Sequence, residues 1–173
     1  ENLEKNLVDS NIESYIILKN LEQEIRQFIE SELTELNSKW WIQRIPGDVK
    51  QNAEDRKNDD ERRKKWDTKE LSPISYIDFT DYEKIITQKN NWNDVFSYVF
   101  HDKIAISGKL KEIEPIRNAI SHTRNLDPYE VKQIRFYSEE ILRSISYYVD
   151  NKSKIISQKT KLLVQLIEPS LKF

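Results

Sequence analysis

Cysteine and methionine are both absent from this sequence of 173 residues, and glycine and proline are scarce, at two and five residues. Without cysteine, the chain forms no disulfide and has no thiolate chemistry. The scarcity of glycine and proline favours long helices over a sheet protein with many tight turns. No apolar run approaches the roughly 18 residues that a membrane span requires, and no secretory signal pattern opens the chain. We therefore expect a cytoplasmic protein without a membrane partner. Because no methionine can serve as initiator, we also expect one domain taken from a larger protein, or a processed chain.

Charged residues make up 34% of the chain, yet 28 basic and 30 acidic side chains leave a net charge of only −2. Proteins that coat nucleic acids non-specifically are usually clearly basic, so this balance argues against that class and leaves a local RNA site open. Residues 49–67 are almost purely polar, which predicts either an exposed helix held by ion pairs or a mobile arm. Residues 151–173 carry five lysines against one glutamate, and we expect this amphipathic tail to pack on the bundle or on a partner chain.

Apolar residues recur at helical spacing along most of the chain, which predicts an all-α fold. Residues 3–37 are expected to form a long amphipathic helix, with a break near Asp9-Ser10-Asn11 as an alternative. The adjacent Trp40-Trp41 pair is expected in the core. Residues 74–79 alternate apolar and polar side chains, which indicates an extended piece or a tight connector, and Thr80-Asp81-Tyr82-Glu83 has the pattern of a capping box. Residues 1–173 are thus predicted to form a single domain, an antiparallel helical bundle with a long N-terminal helix and a C-terminal helical tail.

Residues capable of chemistry cluster in one stretch, Arg117-Asn118-Ala119-Ile120-Ser121-His122, near the end of a helix predicted over residues 104–124. Pro115 conflicts with that helix because proline removes a backbone hydrogen bond. The helix is therefore expected either to kink there or to restart with Pro115 in its first turn. A turn at Asn125-Leu126 separates it from the clearest helix start in the chain, the capping sequence Asp127-Pro128-Tyr129-Glu130.

The pattern Arg-Asn-x-x-x-His suits RNA cleavage without a metal ion. That reaction needs a base for the 2′-hydroxyl proton, stabilisation of charge on the phosphate, and an acid for the leaving 5′-oxygen. His122 suits the proton transfers because an unperturbed histidine titrates near neutrality. Arg117 suits the phosphate because its fork donates two parallel hydrogen bonds. Asn118 lies four residues from His122 and can fix the imidazole tautomer.

The spacing leaves one geometric question open. Arg117 and His122 lie about 140° apart around an ideal helix, so either the arginine wraps round or the helix ends near His122. By spacing alone, the favoured interpretation of the motif is a surface arginine and a histidine that caps a helix C-terminus, where the helix dipole stabilises it. Two histidines and no cysteine predict no metal site. The isolated Gly47 and Gly108 predict no glycine-rich phosphate loop, so we expect no cofactor. His101 is assigned no role.

The motif and the run that leads to it resemble a HEPN domain, and more narrowly the Swt1-like HEPN group. The resemblance covers about residues 40–145. It includes Trp-Trp-Ile-Gln-Arg-Ile-Pro at 40–46, a Tyr-x-x-Phe at 76–79, an Ile-Ile pair in the next helix, and an Asn-x-Trp at 90–92. The first helix and the C-terminal tail lie outside it.

This resemblance implies a HEPN-type helical bundle and, for active members, a metal-independent endoribonuclease that leaves 2′,3′-cyclic phosphate ends. It implies a composite active site at a homodimer interface, where an isologous dimer brings together two copies of the motif. Arg117 would be the phosphate-stabilising residue, Asn118 its polar neighbour and His122 the catalytic histidine. Three residues around the motif would be weak RNA contacts, namely Ser121, Thr123 and Arg124. The parent protein would then belong to a toxin or antiviral defence system.

Two other interpretations remain. The chain is alternatively a non-catalytic HEPN module that mediates dimerisation or RNA binding within a larger protein. It is otherwise a plain helical scaffold with an incidental motif, which a burial of Arg117 against an internal carboxylate would favour.

Overall fold

The structure, a computed structural model, describes residues 2–63 and 71–167, with side chains for residues 11–63 and 71–162. The helices in chain order are α1 (Asn2–Leu36), α2 (Trp40–Arg44), α3 (Gly47–Arg63), α4 (Phe79–Thr87), α5 (Lys89–Asn91), α6 (Ser97–Phe100), α7 (Lys103–Ser121) and α8 (Pro128–Ile167). A 3₁₀ turn (Pro73–Tyr76) precedes α4, and a π-helical turn (Trp92–Phe96) joins α5 to α6. No β-strand occurs within these ranges, and the predicted all-α fold is confirmed.

Three long helices, α1, α7 and α8, form the frame of the bundle. α7 runs antiparallel to α8, since Lys109 near its start pairs with Glu140 while its C-terminal end leads directly into the start of α8. α1 and α8 therefore run parallel to each other, with contacts from Glu13–Arg135 at one end to Glu32–Lys152 at the other. α4 packs against α7 and α1 on the remaining side. This arrangement brings the C-terminal end of α7 beside the N-terminal half of α1.

The long helices form because their apolar residues share one face. In α1 the buried side chains recur three or four residues apart, and they include Leu18, Leu21, Ile25, Phe28 and Leu33. The helix is continuous through residues 9–11, so the alternative of a break there is wrong. The core continues through edge-to-face contacts of Phe28 with Phe96 and Tyr148, at ring-centroid distances of 6.3 and 5.8 Å. Trp40 is buried and Trp41 packs against the core, as predicted.

Side-chain caps fix where α7 and α8 begin. Asp102 Oδ1 accepts hydrogen bonds from the backbone N–H groups of Ile104 and Ala105. Asp127 Oδ1 accepts from the N–H groups of Tyr129 and Glu130 at 2.7 and 2.8 Å. Glu130 Oε2 in turn accepts from the Asp127 N–H at 2.9 Å. The capping box that the sequence predicts at the start of α8 is confirmed.

The start of α4 differs from the prediction. The helix begins at Phe79, and the carboxylate of Asp81 accepts a hydrogen bond from the Asp78 N–H at 2.9 Å. The predicted box from Thr80 to Glu83 is therefore wrong by two residues, because aspartate caps as well as threonine does and Asp78 lies at the actual helix end. The preceding segment is a 3₁₀ turn, so the tight connector is correct.

The structure also decides between the alternatives for the polar segment and for Pro115. Most of the polar segment 49–67 forms α3, whose exposed face carries ion pairs such as Lys57–Glu61, so the predicted helix is correct there. Residues 64–67 lie outside the described residues. α7 runs through Pro115 without a restart.

The basic tail continues α8 without interruption. Lys152 Nζ lies 2.8 Å from the buried carboxylate of Glu32, and Ile155 packs against the core. Ile156 and Leu162 are exposed, but Lys159 Nζ lies 4.8 Å from the centre of the Tyr98 ring, so the helix stays beside the bundle at least as far as Lys159. The side chains of residues 163–173 lie outside the described residues. No helix in the described ranges is long and apolar enough to cross a bilayer.

Candidate active site at the end of α7

The motif helix ends at its histidine. Ser121 is the last residue of α7 and His122 is the C-cap, with its N–H donating to the Asn118 carbonyl oxygen at 3.1 Å. The N–H of Thr123 then donates to Ile120 O at 3.0 Å, and that of Arg124 donates to Ala119 O at 2.9 Å. This pair of bonds is the Schellman motif. Of the two alternatives that the spacing left open, the helix therefore ends near His122.

Thr123 has a left-handed backbone conformation, with φ of 55°. Glycine usually occupies this position of a Schellman motif, and for a β-branched residue the conformation costs about 1–2 kcal/mol. The Thr123 hydroxyl donates to the carbonyl oxygen of His122 at 2.7 Å, which partly offsets that cost. Backbone strain is thus located immediately after the candidate catalytic histidine, as is common at functional sites.

α1 holds the loop that follows. Asn11 Oδ1 accepts a hydrogen bond from the backbone N–H of Leu126 at 3.1 Å, and Asn11 Nδ2 donates to Asn125 Oδ1 at 2.7 Å. Leu126 is buried, and Arg124 lies 3.8 Å from Glu130 in the first turn of α8. The loop between α7 and α8 is therefore anchored at both ends and to α1.

Arg117 contacts a carboxylate of α1. Its Nε lies 3.6 Å from Glu22 Oε1, and the two side chains are 32% and 22% exposed. Its Nη1 lies 3.4 Å from Asn118 Oδ1, a long hydrogen bond. Arg117 is thus partly accessible and paired with a partly accessible carboxylate, so the burial against an internal carboxylate that would favour the scaffold interpretation is not found.

A second arginine shares the same carboxylate. Arg26 Nη2 lies 4.0 Å from Glu22 Oε2 and donates to the hydroxyl of Tyr82 at 3.1 Å. Burial raises the pKa of Tyr82 to about 12, and the nearby charges of Arg26 and Arg117 act in the opposite direction. Two guanidinium groups therefore face one carboxylate beside a neutral phenol, which leaves a local excess of positive charge.

The other predicted site residues lie on the surface around this cluster. Asn118, Ser121, His122, Thr123 and Arg124 are all exposed. Among the described residues, no hydrogen bond or ion pair involves the His122 imidazole, so the predicted contact from Asn118 to the imidazole is absent in this conformation. The structure brings Arg117 and Asn118 into contact and leaves the His122 side chain open to solvent.

An apolar patch borders the motif. We define it by Ile12, Tyr15 and Ile16 of α1, which are exposed, together with the partly buried Ile120 of α7. With Asn11, Thr123 and Arg124, three of these residues line a shallow pocket of about 270 Å³. Single exposed apolar residues are ordinary, whereas these residues form a group beside the motif.

Sequence reasoning missed the residues that surround Arg117. Glu22 and Arg26 flank the apolar stripe of α1 four residues apart, a pattern that many solvated helix faces share. Tyr82 appears in the sequence only as part of the predicted capping box at residues 80–83, which indicates no link to Arg117. The only available signal was that Glu22 and Arg26 lie beside the apolar stripe of α1. Nothing in that pattern indicates a contact with Arg117, which is 95 positions from Glu22.

The fold and this site define an all-helical domain that carries Arg-Asn-x-x-x-His at the surface end of one long helix. The sequence model of the Swt1-like HEPN family matches residues 17–146, and the chain belongs to that family. The match includes most of α1, with Glu22 and Arg26, so the limit expected at about residue 40 was too narrow. Searches of curated proteins and of solved structures found no match. HEPN domains commonly dimerise and bind RNA, and membership is consistent with a nuclease- or RNA-related function.

Proposed function

We propose that this domain is a metal-independent endoribonuclease of HEPN type, with a composite active site at a homodimer interface. The observation that supports it most is that Arg117, Asn118 and His122 lie together at the surface end of α7, with the guanidinium and the imidazole both accessible to a ligand. A toxin or antiviral defence role, a larger parent protein and a cytoplasmic location belong to the same proposal.

In the proposed reaction, the imidazole of His122 takes the proton of a ribose 2′-hydroxyl. The 2′-oxygen attacks the adjacent phosphorus, the bond from phosphorus to the 5′-oxygen breaks, and a 2′,3′-cyclic phosphate forms. The leaving 5′-oxygen receives a proton from a histidine in its acid form. Arg117 stabilises the charge that develops on the phosphate oxygens.

A single chain lacks one part of this machinery. It supplies one motif histidine, whereas the reaction uses a base and an acid at the same time. An isologous dimer provides both, since each subunit presents the same surface to the other. The apolar patch beside the motif supports such a contact because its side chains are exposed in the monomer and adjoin Thr123 and Arg124.

Glu22 is the positioning residue in this proposal. Its carboxylate Oε1 lies 3.6 Å from Nε of the Arg117 guanidinium, an ion pair longer than a hydrogen bond, so the guanidinium keeps N–H groups that can donate to a phosphate. Because the ion pair with Glu22 already orients the guanidinium, binding of a phosphate costs little further side-chain entropy. Arg26 on the same carboxylate adds positive charge to the site.

A non-catalytic HEPN module is the second candidate. The observation that favours it is the same ion pair, because Glu22 neutralises part of the Arg117 charge in the unbound protein. In that case the domain binds RNA or a second copy and supplies no chemistry.

The test is RNA cleavage by the purified chain in EDTA, compared with His122→Ala and Arg117→Ala. Matched controls are His101→Ala and Arg62→Ala, which remove an exposed histidine and an exposed arginine elsewhere. We expect cleavage by the parent and both controls, cyclic phosphate ends, and a dimeric mass by light scattering. Loss of cleavage only in the motif variants, with unchanged melting temperatures, would establish the nuclease. Equal cleavage by His122→Ala would overturn it, and a stable dimer without cleavage would favour the second candidate.

A further inference from the structure

Exposed aromatic residues are concentrated on one helix face. Tyr129, Phe136 and Tyr147 of α8 are 71%, 57% and 63% exposed. They are separated by seven and eleven residues, which are close to two and three helical turns, so all three lie within about 20° of one direction. Along the helix axis they are about 10 Å and 16 Å apart. We call this the outer face of α8.

Basic side chains lie between these rings and beyond the last of them. Lys132, Arg143, Lys154 and Lys161 fall on the outer face by the same helical spacing, and each is exposed. Within the described part of the chain, none of the four has an ion-pair partner. Two acids, Glu139 and Asp150, lie on the same face, whereas the neighbouring Glu140 is paired with Lys109 of α7 at 2.9 Å. The outer face is therefore aromatic and net positive, on a chain whose net charge is −2.

The outer face lies away from the bundle. The buried residues of α8, such as Ile134, Ile141 and Ile145, point in the opposite direction and pack against α1 and α7. Phe136 lies against Tyr137, with ring centroids 5.9 Å apart. The Tyr137 hydroxyl donates to Glu112 of α7, so this neighbour of Phe136 is held in place. The rings are available without any rearrangement of the core.

We propose that the outer face of α8 is a binding track for single-stranded RNA that leads away from the motif. Aromatic side chains that stack on unpaired bases, with cations between them for the phosphates, are the usual means by which proteins hold single strands. The track begins at Tyr129, in the first turn after the loop that carries His122, and Arg124 contacts Glu130 in that turn. The inference rests on the proposed function in that the bound strand is the substrate of the same site.

A protein partner fits the outer face less well. The rings are separated by about two and three helical turns, so they form no continuous apolar patch. Lysine, the most frequent cation on this face, is depleted at protein interfaces. Single-stranded RNA requires no apolar continuity, because each base stacks on its own ring and the backbone meets separate cations.

The test measures binding and cleavage separately. Binding of a fluorescein-labelled 20-nucleotide single-stranded RNA is followed by anisotropy on the full chain in the His122→Ala background. We expect Phe136→Ala with Tyr147→Ala to weaken binding about tenfold or more, because stacking contributes roughly 1–3 kcal/mol per base. The matched control, Ile42→Ala with Ile104→Ala, removes two exposed apolar side chains on other surfaces and should change binding less than twofold. Lys132→Gln with Arg143→Gln should reduce the salt dependence of log Kd by about 1.4, at about 0.7 for each single-strand phosphate contact.

Each outcome decides the inference. A duplex of the same sequence should compete poorly, because stacking needs unpaired bases. If the Phe136/Tyr147 variant binds RNA within twofold of the control variant, the proposed track is overturned. It is also overturned if that variant has half the mass of the parent in solution, because the outer face would then be an interface between copies of the chain. In the catalytically intact background, the same variant should raise KM for the 20-mer and leave cleavage of a trinucleotide unchanged. If the parent cleaves nothing while the track variants still lose binding, the proposed nuclease fails and the RNA track stands.

Discussion

Replacing Glu22 by glutamine tests how Arg117 is held. Glutamine keeps the shape of the side chain and removes its charge, while Glu24→Gln makes the same charge change on an exposed position of α1 that has no ion pair among the described residues. Glu22 pairs with Arg117 at 3.6 Å and with Arg26 at 4.0 Å, with all three side chains 22–32% exposed. Partly exposed pairs contribute about 0.2–1 kcal/mol each after solvent screening, so we expect a loss of about 1 kcal/mol. For a domain of this size, that lowers Tm by about 2–4 °C.

The effect on cleavage should be larger than the effect on stability. Without Glu22 the guanidinium of Arg117 loses the contact on its Nε side, and a displacement of about 1 Å in a positioning group can reduce a rate as much as 100-fold. We expect kcat to fall 10- to 100-fold, while KM stays equal or decreases because the site becomes more positive.

Steady-state cleavage and thermal melts on Glu22→Gln and Glu24→Gln check both parts. The reasoning is refuted if the two variants have the same kcat. A rise in KM with unchanged kcat would instead assign Glu22 to substrate binding.

Three further predictions follow from other contacts. Asp127→Ala should lower the free energy of unfolding in urea by about 1–2 kcal/mol, whereas Asp127→Asn should lower it much less because asparagine also caps helices. Equal losses for the two variants would contradict the capping role. Ile16→Asp should convert a dimer to a monomer by light scattering, whereas Ile42→Asp, which changes an exposed isoleucine on another surface, should not. Burial raises the pKa of Tyr82 to about 12, so the stabilisation by its neutral phenol is complete below pH ~10 and is lost as pH rises toward 12. Relative to Tyr82→Phe, the parent should lose about 1 kcal/mol by pH 11, and parallel unfolding curves would refute this.

Most of the fold is predictable because its signals are local. The apolar stripe of α1 and the capping sequence at Asp127 depend on residues a few positions apart, and both appear in the structure as predicted. The error at Thr80 is also local, since Asp78 and Thr80 are both good caps and the sequence does not rank them. The orientation of α1 beside α7 depends on which apolar stripes face each other, and a single sequence does not contain that pairing.

The candidate site is predictable only in part for the same reason. The motif residues are adjacent in sequence, so their spacing identifies Arg117 and His122 as a group. The partner of Arg117 comes from α1 through tertiary packing, and Glu22 has no sequence feature that distinguishes it from other acids on solvated faces. The end of α7 at His122 could be stated only as an alternative, because threonine rarely adopts the left-handed conformation that closes the helix.

The hydrogen bonds of Asn11 connect the docking of α1 to the order of the loop that follows the motif. If the first turns of α1 separate from the bundle, the N–H of Leu126 loses its acceptor, and the loop that carries His122 gains freedom. The two events are therefore thermodynamically linked, and such linkage is reciprocal. A ligand with higher affinity for the ordered loop therefore stabilises the docked position of α1. A partner that binds the N-terminal half of α1 and separates it from the bundle lowers the affinity for that ligand by the same factor. The docking of α1 and the order of the loop after His122 are thus coupled through one side chain, Asn11.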